Sequence, residues 1–203
     1  MEYLLDQGRR QFVLIGTDYV YPRTTNAILR AFLSSRGVPD TQIMELYVPF
    51  GERIWRETLE RVAKFGSRGN TAIVSTVSGD SNVHFFREYA RQGLSPSLLP
   101  VMTLSIGERE LSSLADVPMD GHLASWSYFG AIDHPANRAF IEEWRAYAGD
   151  TAAMPNDAME ATLIGFRMWA AAVERTGTTD AAAVRRALAG MSFAAPSGFT
   201  VRM

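Results

Sequence analysis

Phe12-Val13-Leu14-Ile15-Gly16, followed at once by Thr17-Asp18-Tyr19-Val20-Tyr21-Pro22-Arg23, is the stretch that decides the fold. Five apolar or small residues in a row suit a strand buried on both faces, the kind found in parallel sheets. A polar loop and a proline then lead into Thr24 to Arg36, where Ile28, Leu29, Phe32 and Leu33 recur at helical spacing and Gly37 supplies a stop. Outward from this unit the alternation repeats. Strands are expected at residues 42–49, 71–76, 99–104 and 122–128, with helices at 54–65, 81–92 and 108–114 between them. Strands separated by helices of about a dozen residues require crossovers and a mostly parallel sheet. The expected fold is α/β, a doubly wound, mostly parallel five-stranded sheet whose ligand edge lies beyond the strands' C-terminal ends.

After Pro135 the pattern changes to helices alone: 137–148, a long one at 156–175, and 180–189 capped by Thr179 or Asp180. The long helix carries Met159, Leu163, Ile164, Phe166, Met168, Trp169 and Val173, apolar on more than one side, as if it covered a sheet. No further strands are expected to build that sheet, and the final Phe199-Thr200-Val201-Arg202-Met203 reads as a strand beginning. The first residues, with Tyr3, Leu4 and Leu5 before Gly8, read as the tail of a helix. The expectation is a truncated chain with exposed C-terminal helices through which copies of it would associate into a homo-oligomer.

The 203 residues carry a formal net charge of −2, 47% hydrophobic and 21% charged residues. That composition fits a globular chain and argues against a nucleic-acid partner, which needs clustered basic charge. Of the basic residues only Lys64 is not arginine, a bias attributed to genome composition. Without cysteine there is no disulfide, thiolate nucleophile or thiolate metal site. No apolar run reaches the length that spans a bilayer, and the start has no basic segment followed by an apolar one, so no signal peptide is expected.

Candidate chemistry lies in the loops at the expected ligand edge. Tyr19 and Tyr21 each offer an apolar face and one directional hydroxyl, suited to a small polar solute; equally, they could pack on helices while Asp18 caps a turn. Pro22 is expected at the first position of its helix. The loop Ser75-Thr76-Val77-Ser78-Gly79-Asp80-Ser81-Asn82 offers hydroxyls, a flexible glycine and a helix start. It matches neither a phosphate-binding G-x-x-x-x-G-K-[ST] nor a G-x-S-x-G nucleophile elbow, and Asp80 or Ser81 could simply cap the helix. The loop from Thr103 to Glu108 is similarly open to either role. His84, His122 and His134 lack metal-ligand spacing, so no metal and no cofactor is expected. Trp126 and Tyr128 would share one face of the fifth strand, and Glu160 could either sit in its helix's first turn or face a cleft. With no nucleophile–base–acid set, binding rather than catalysis is expected.

These loops resemble the type I periplasmic binding-protein superfamily, and are similar to the urea-binding component of ABC transporters and to the amide sensor that controls the aliphatic amidase operon. The likeness rests on residues 16–23, Tyr47-Val48-Pro49, residues 76–83, Tyr128-Phe129, Ile132-Asp133-His134-Pro135, Met159-Glu160-Ala161 and Ala195-Pro196-Ser197-Gly198. Their order fits across essentially the whole chain, and Gly79-Asp80-Ser81-Asn82-Val83 resembles the urea-binding branch more. The resemblance implies two lobes closing on a ligand. Residues 1–8 would be a hinge-helix remnant, 9–132 the second lobe, and 133–203 helices belonging to a first lobe whose strands are missing. It implies a solute-binding component of an ABC-type uptake system, periplasmic for the parent family, taking urea or a short-chain amide and working with an ABC permease. A cytoplasmic amide sensor or a branched-chain amino-acid binding protein would be the alternatives. It also implies ligand contacts from Tyr19, Tyr21, Thr76, Ser78, Gly79, Ser105 and Ile106. Thr17 stands where Ser is common, and Gly107 where bulkier small residues are common. With part of the cleft absent, weak binding or none is expected of this chain.

Overall fold

The computed structural model describes every residue except Ala152, and Arg109 without its side chain. The chain divides into two compact units. Unit 1 comprises residues 1–106 and 110–125; unit 2 comprises residues 107–109 and 126–203.

Unit 1 follows the expected alternation. A short α1 (Glu2–Asp6) precedes β1 (Gln11–Thr17), α2 (Val20–Ser35), β2 (Ile43–Val48), α3 (Arg56–Gly66), β3 (Thr71–Thr76), α4 (Ser81–Arg91), β4 (Val101–Thr103) and β5 (Leu123–Ala124). Helix α5 (Glu108–Leu111) starts within residues assigned to unit 2. The strands form one sheet in the order β2-β1-β3-β4-β5, every pair parallel. β1 and β3 are buried along their whole length because helices cover both faces.

The two-residue period of β1 sorts its side chains. Val13 and Ile15 join Ile73 and Val101 beneath Leu59 and Val62 of α3 and Phe85, Phe86 and Tyr89 of α4. Phe12 and Leu14 join Val74 and Met102 beneath Leu33 of α2 and Leu4 of α1. Each such side chain contributes about 1.5–3 kcal/mol on full burial. Leu4 brings α1 into the core of unit 1.

Two strand expectations are corrected. The fifth strand, read as 122–128, ends at Ala124, so the alternation that put Trp126 and Tyr128 on one sheet face does not apply. Beyond Ser125 the chain enters unit 2, where Tyr128 is fully buried and donates its phenol to Asn137 Oδ1 at 2.7 Å. The Asn137 amide donates in turn to the carbonyls of Gly130 (2.9 Å) and Ile132 (2.8 Å), which captures the chain as a turn. The sequence boundary at 132/133 thus falls inside unit 2. The second correction is a missed strand: β6 (Ser192–Ala194) pairs antiparallel with β7 (Thr200–Arg202), so the terminal strand has a partner.

Unit 2 otherwise consists of α6 (Pro135–Ala148), α7 (Asp157–Thr176) and α8 (Ala181–Leu188). Side-chain caps from His134, Asn156 and Asp180 start these helices. In α7 the buried stripe is Glu160, Ile164, Met168 and Ala172, one residue per turn, with Phe166 and Trp169 outside it. Ile164 and Met168 pack on Ala195 of the hairpin. The Glu160 carboxylate accepts the Ser197 N–H at 2.8 Å, which gives this buried acid a structural partner.

A methyl group on Gly16 would fall 2.3 Å from Thr76 Oγ1 and 2.6 Å from Pro22 Cβ. Gly16→Ala is expected to destabilise unit 1 by about 1–3 kcal/mol in chemical denaturation, the cost of forcing a methyl into packed surroundings.

His122 stacks edge-on against Phe86 and Tyr89, and its Nδ1 accepts the Val101 N–H at 3.2 Å. Burial pushes its imidazole down to about 4. Since the folded value lies below the unfolded one, the unfolded state binds more protons between them. This contribution to stability is complete above about pH 6.5 and is lost as pH falls through that window, by at most about 1.4 kcal/mol per pH unit. Denaturation midpoints between pH 7.5 and 5, compared with those of His122→Leu, are expected to show a slope in the native chain that the variant loses.

Candidate functional site

The doubly wound order has one switch point. From β1 the chain steps to β2 on one side, then returns past β1 to place β3 on the other. The loops after β1 and β3 therefore diverge and leave a crevice between them, the place where open α/β sheets bind ligands. In the register Gly16 lies beside Thr76, and the missing Cβ lets the two loops begin in contact.

Hydroxyl groups tie these loops together. Thr17, fully buried, accepts the Ser78 N–H through Oγ1 at 2.9 Å. The Tyr19 and Ser78 hydroxyls lie 3.1 Å apart, bridging the crevice. Ser105 donates its hydroxyl to the Val77 carbonyl, which also accepts from Asn82 Nδ2 at 2.7 Å. Tyr21 donates to the Leu104 carbonyl at 3.3 Å. The loop's base is fixed by the Asp18 N–H donating to the Val48 carbonyl at 2.7 Å.

Within the loop after β1, the two charges balance each other. Arg23 Nε donates to Asp18 Oδ1 at 2.6 Å and its guanidinium lies 4.4 Å above the Tyr47 ring. The Arg23 hydrogen bond holds the Asp18 carboxyl below its usual range. Asp18 thus pairs with Arg23, and the N-cap of α2 is Tyr19, in extended conformation and with no side-chain capping bond. α2 begins four residues before the expected Thr24, so Pro22 sits third in it. The first-turn N–H groups have no intrahelical acceptor, so the missing proton costs nothing there.

The predicted contact residues separate by accessibility. Tyr19, Tyr21, Ser78 and Ser105 are partly or well exposed, and Gly79 is exposed with a left-handed φ of 64°. Thr76 is fully buried and donates to the Ile15 carbonyl at 3.3 Å; Ile106 is 2% exposed. Gly79, Ser105 and Ile106 line a cavity of about 200 Å³ together with Asp80, Asn82 and Glu110. Neither Asp80 nor Ser81 makes a side-chain cap on α4, and the Ser81 hydroxyl is buried without a partner among the described residues.

Phe50 is the residue that sequence reasoning passed over. Its ring lies 4.8 Å from that of Tyr19, and it is 63% exposed, so the two form an aromatic wall beside the crevice. Its position just after the Tyr47-Val48-Pro49 strand end was the available signal. Unit 2 has a concavity of a different kind, about 940 Å³ between α6 and α7, with Phe140, Trp144, Tyr147, Leu163 and Phe166 in its lining. No group of histidine, cysteine or carboxylate side chains among the described residues could hold a metal ion.

A model of the periplasmic binding protein domain matches residues 1–203. The chain belongs to the periplasmic binding protein family. A relative, the Leu/Ile/Val-binding protein homolog 6 of Brucella melitensis, is 26% identical over 202 residues, covering 96% of this chain and 49% of the relative. Among solved structures, a solute binding protein of an ABC transporter from Rhodopseudomonas palustris, in complex with p-hydroxybenzoic acid, superposes with a TM-score of 0.85 at 17% identity. That match covers 99% of this chain and 54% of the other. A leucine binding protein from Thermotoga maritima gives 0.74 at 17% identity, covering 96% and 53%. The chain spans about half the length of the relatives it matches.

The hydroxyl of Thr17 is expected to matter more than its methyl. Thr17→Val, which leaves the Ser78 N–H without its acceptor, should cost about 1–3 kcal/mol in denaturation. Thr17→Ser, which keeps the oxygen, should cost less than half as much; equal losses would assign the effect to packing.

Proposed function

We propose that this chain supplies one wall of a solute-capture site of the type used in ABC-mediated uptake, and that the solute is small and neutral: urea or a short-chain amide. The carrying observation is the hydroxyl bridge between Tyr19 and Ser78 across the switch point. Tyr19 and Ser78 together offer donors and acceptors to a planar amide, and the Tyr19–Phe50 wall gives it an apolar face. Asp18 and Arg23 of the Tyr19 loop are paired with each other, so that loop presents no uncompensated ion to a neutral ligand. Tyr21, Ser105 and the Gly79 backbone complete the contact set, while Thr76 and Ile106 hold the loops in place from within.

A branched-chain amino acid is the second reading, favoured by the Brucella melitensis relative. An amino acid's ammonium group needs an acceptor of negative charge, and Asp80 and Glu110 beside the 200 Å³ cavity are the carboxylates nearest this role. In either case the working protein would be periplasmic and deliver its solute to an ABC permease.

Titration of the 203-residue chain with urea, acetamide and leucine, followed by amide NMR shifts, tests both readings. Urea or acetamide should move the Tyr19, Ser78 and Ser105 resonances with a Kd of about 1 mM or weaker, as befits one wall of a cleft. Tyr19→Phe should weaken this by about three- to tenfold, the worth of one hydrogen bond. A response to leucine alone would overturn the neutral-solute reading in favour of the second. No response to any of the three would overturn both.

A further inference from the structure

The opposite edge of the sheet carries a second concavity, of about 370 Å³, lined by Gln11, Thr41, Met44, Arg61, Lys64, Phe65 and Arg68. Gln11 opens β1 and Met44 lies in β2, so this hollow sits at the strands' N-terminal ends, away from the switch-point loops. Arg61, Lys64 and Arg68 follow one another at spacings of three and four, which aligns them along one side of α3 and its exit.

The charge of this hollow is unbalanced. Arg61, Lys64 and Arg68 make no ion pair among the described residues. No carboxylate lines the hollow. Lys64 and Arg68 do suit the negative end of α3, but a helix terminus offsets only about half a charge, so most of the positive field stays uncompensated.

Gln11 is the second and independent sign. It is 4% exposed, and its Oε1 accepts the Thr71 hydroxyl at 2.7 Å. Its Nε2 makes no hydrogen bond among the described residues and lies at the lining of the hollow. That nitrogen is not sealed from solvent, so an acceptor entering the hollow can reach it. Thr41 adds a hydroxyl to the same wall, and Met44 and Phe65 add an apolar surface continuous with the core.

We propose that this hollow is a binding site for a small organic anion, one with a carboxylate or phosphate head and an apolar body. The head is held by the Arg61, Lys64 and Arg68 cations and by the Gln11 amide. The body lies on Met44 and Phe65. The volume falls within the range of small-molecule pockets, and the combination of convergent donors with an apolar floor is what such pockets share. The site is separate from the switch-point crevice and takes the opposite kind of ligand, charged rather than neutral.

The probe is phenyl phosphate, with inorganic phosphate as the comparison, titrated into the 203-residue chain and followed by NMR. Phenyl phosphate should shift the Gln11 side-chain amide and the Thr41 and Phe65 backbone amides in a saturable way. Inorganic phosphate should act at the same residues at least about threefold more weakly, for want of the apolar contact. The triple variant Arg61→Gln, Lys64→Gln, Arg68→Gln changes three exposed side chains and should fold normally. It should bind phenyl phosphate about tenfold more weakly, and Tyr19→Phe should bind it unchanged. Non-saturating shifts, shifts confined to the Tyr19 and Ser78 loops, or undiminished binding by the triple variant would each overturn the proposal.

Discussion

The close parallel contact between Gly16 of β1 and Thr76 of β3 constrains the ligand edge of unit 1. With a Cβ at Gly16 the Thr76 hydroxyl could not reach the Ile15 carbonyl, and Pro22 could not pack where it does. The chain leaves β1 toward one edge of the sheet and leaves β3 toward the other. Two loops that start in contact and then separate must expose polar groups to each other, because their backbones have lost their ladder partners. Thr17, Tyr19, Ser78 and Ser105 meet that demand with hydroxyls, which accept and donate without bringing a charge. The crevice is polar because the sheet ends there, and it is shaped because Gly16 allows the sheet to end there tightly.

Periodicity made the centre of this fold legible and left its margins obscure. β1 and β3 carry continuous apolar runs because both of their faces are covered, and such runs need no knowledge of the neighbours to be recognised. β4 and β5 lie toward one edge and pair over only three and two residues, so fewer of their side chains had to be apolar. That is why the strand expected through Tyr128 was too long. The β6–β7 hairpin was harder still, since Ser192-Phe193-Ala194 holds one large apolar side chain and offers no alternation to count. The candidate site divides likewise. Tyr19 and Tyr21 were visible from their place after a strand. The partnership of Tyr19 with Ser78, 59 residues away, exists only once β1 and β3 are neighbours. The place of the Gln11 amide at the lining of the second hollow is visible only in three dimensions.

Unit 2 shows how polar residues that resemble functional ones can be absorbed by structure. Glu160 is a buried acid in the first turn of a long helix, a profile that invites a role in binding. Its carboxylate accepts the Ser197 N–H of the turn between β6 and β7, which has no strand partner of its own. Asn137, buried in α6, meets the Tyr128 phenol and two loop carbonyls. Burial raises the Tyr128 phenol above its ordinary range, as expected of a group held neutral in the interior. These side chains do for irregular backbone what a ladder does for a strand.

The two edges of the central sheet differ in how they treat charge, and the difference follows from what surrounds each. At the C-terminal edge Asp18 and Arg23 lie on one short loop, close enough to neutralise each other whatever else is present. What that loop offers the crevice is hydroxyl and aromatic, while Asp80 and Glu110 stand in the lining of the cavity beside it. In the hollow at the N-terminal edge the cations come from α3 and its exit, and Gln11 and Thr41 contribute an amide and a hydroxyl but no acid. Neutralisation there cannot come from the hollow's own lining. An ion-paired loop can discriminate by shape and hydrogen bonding among uncharged molecules, because it offers none of them a net field. A concavity with three cations discriminates first by charge, and only then by how well an apolar body fits Met44 and Phe65. One sheet can therefore carry two recognition surfaces that do not compete for the same molecules.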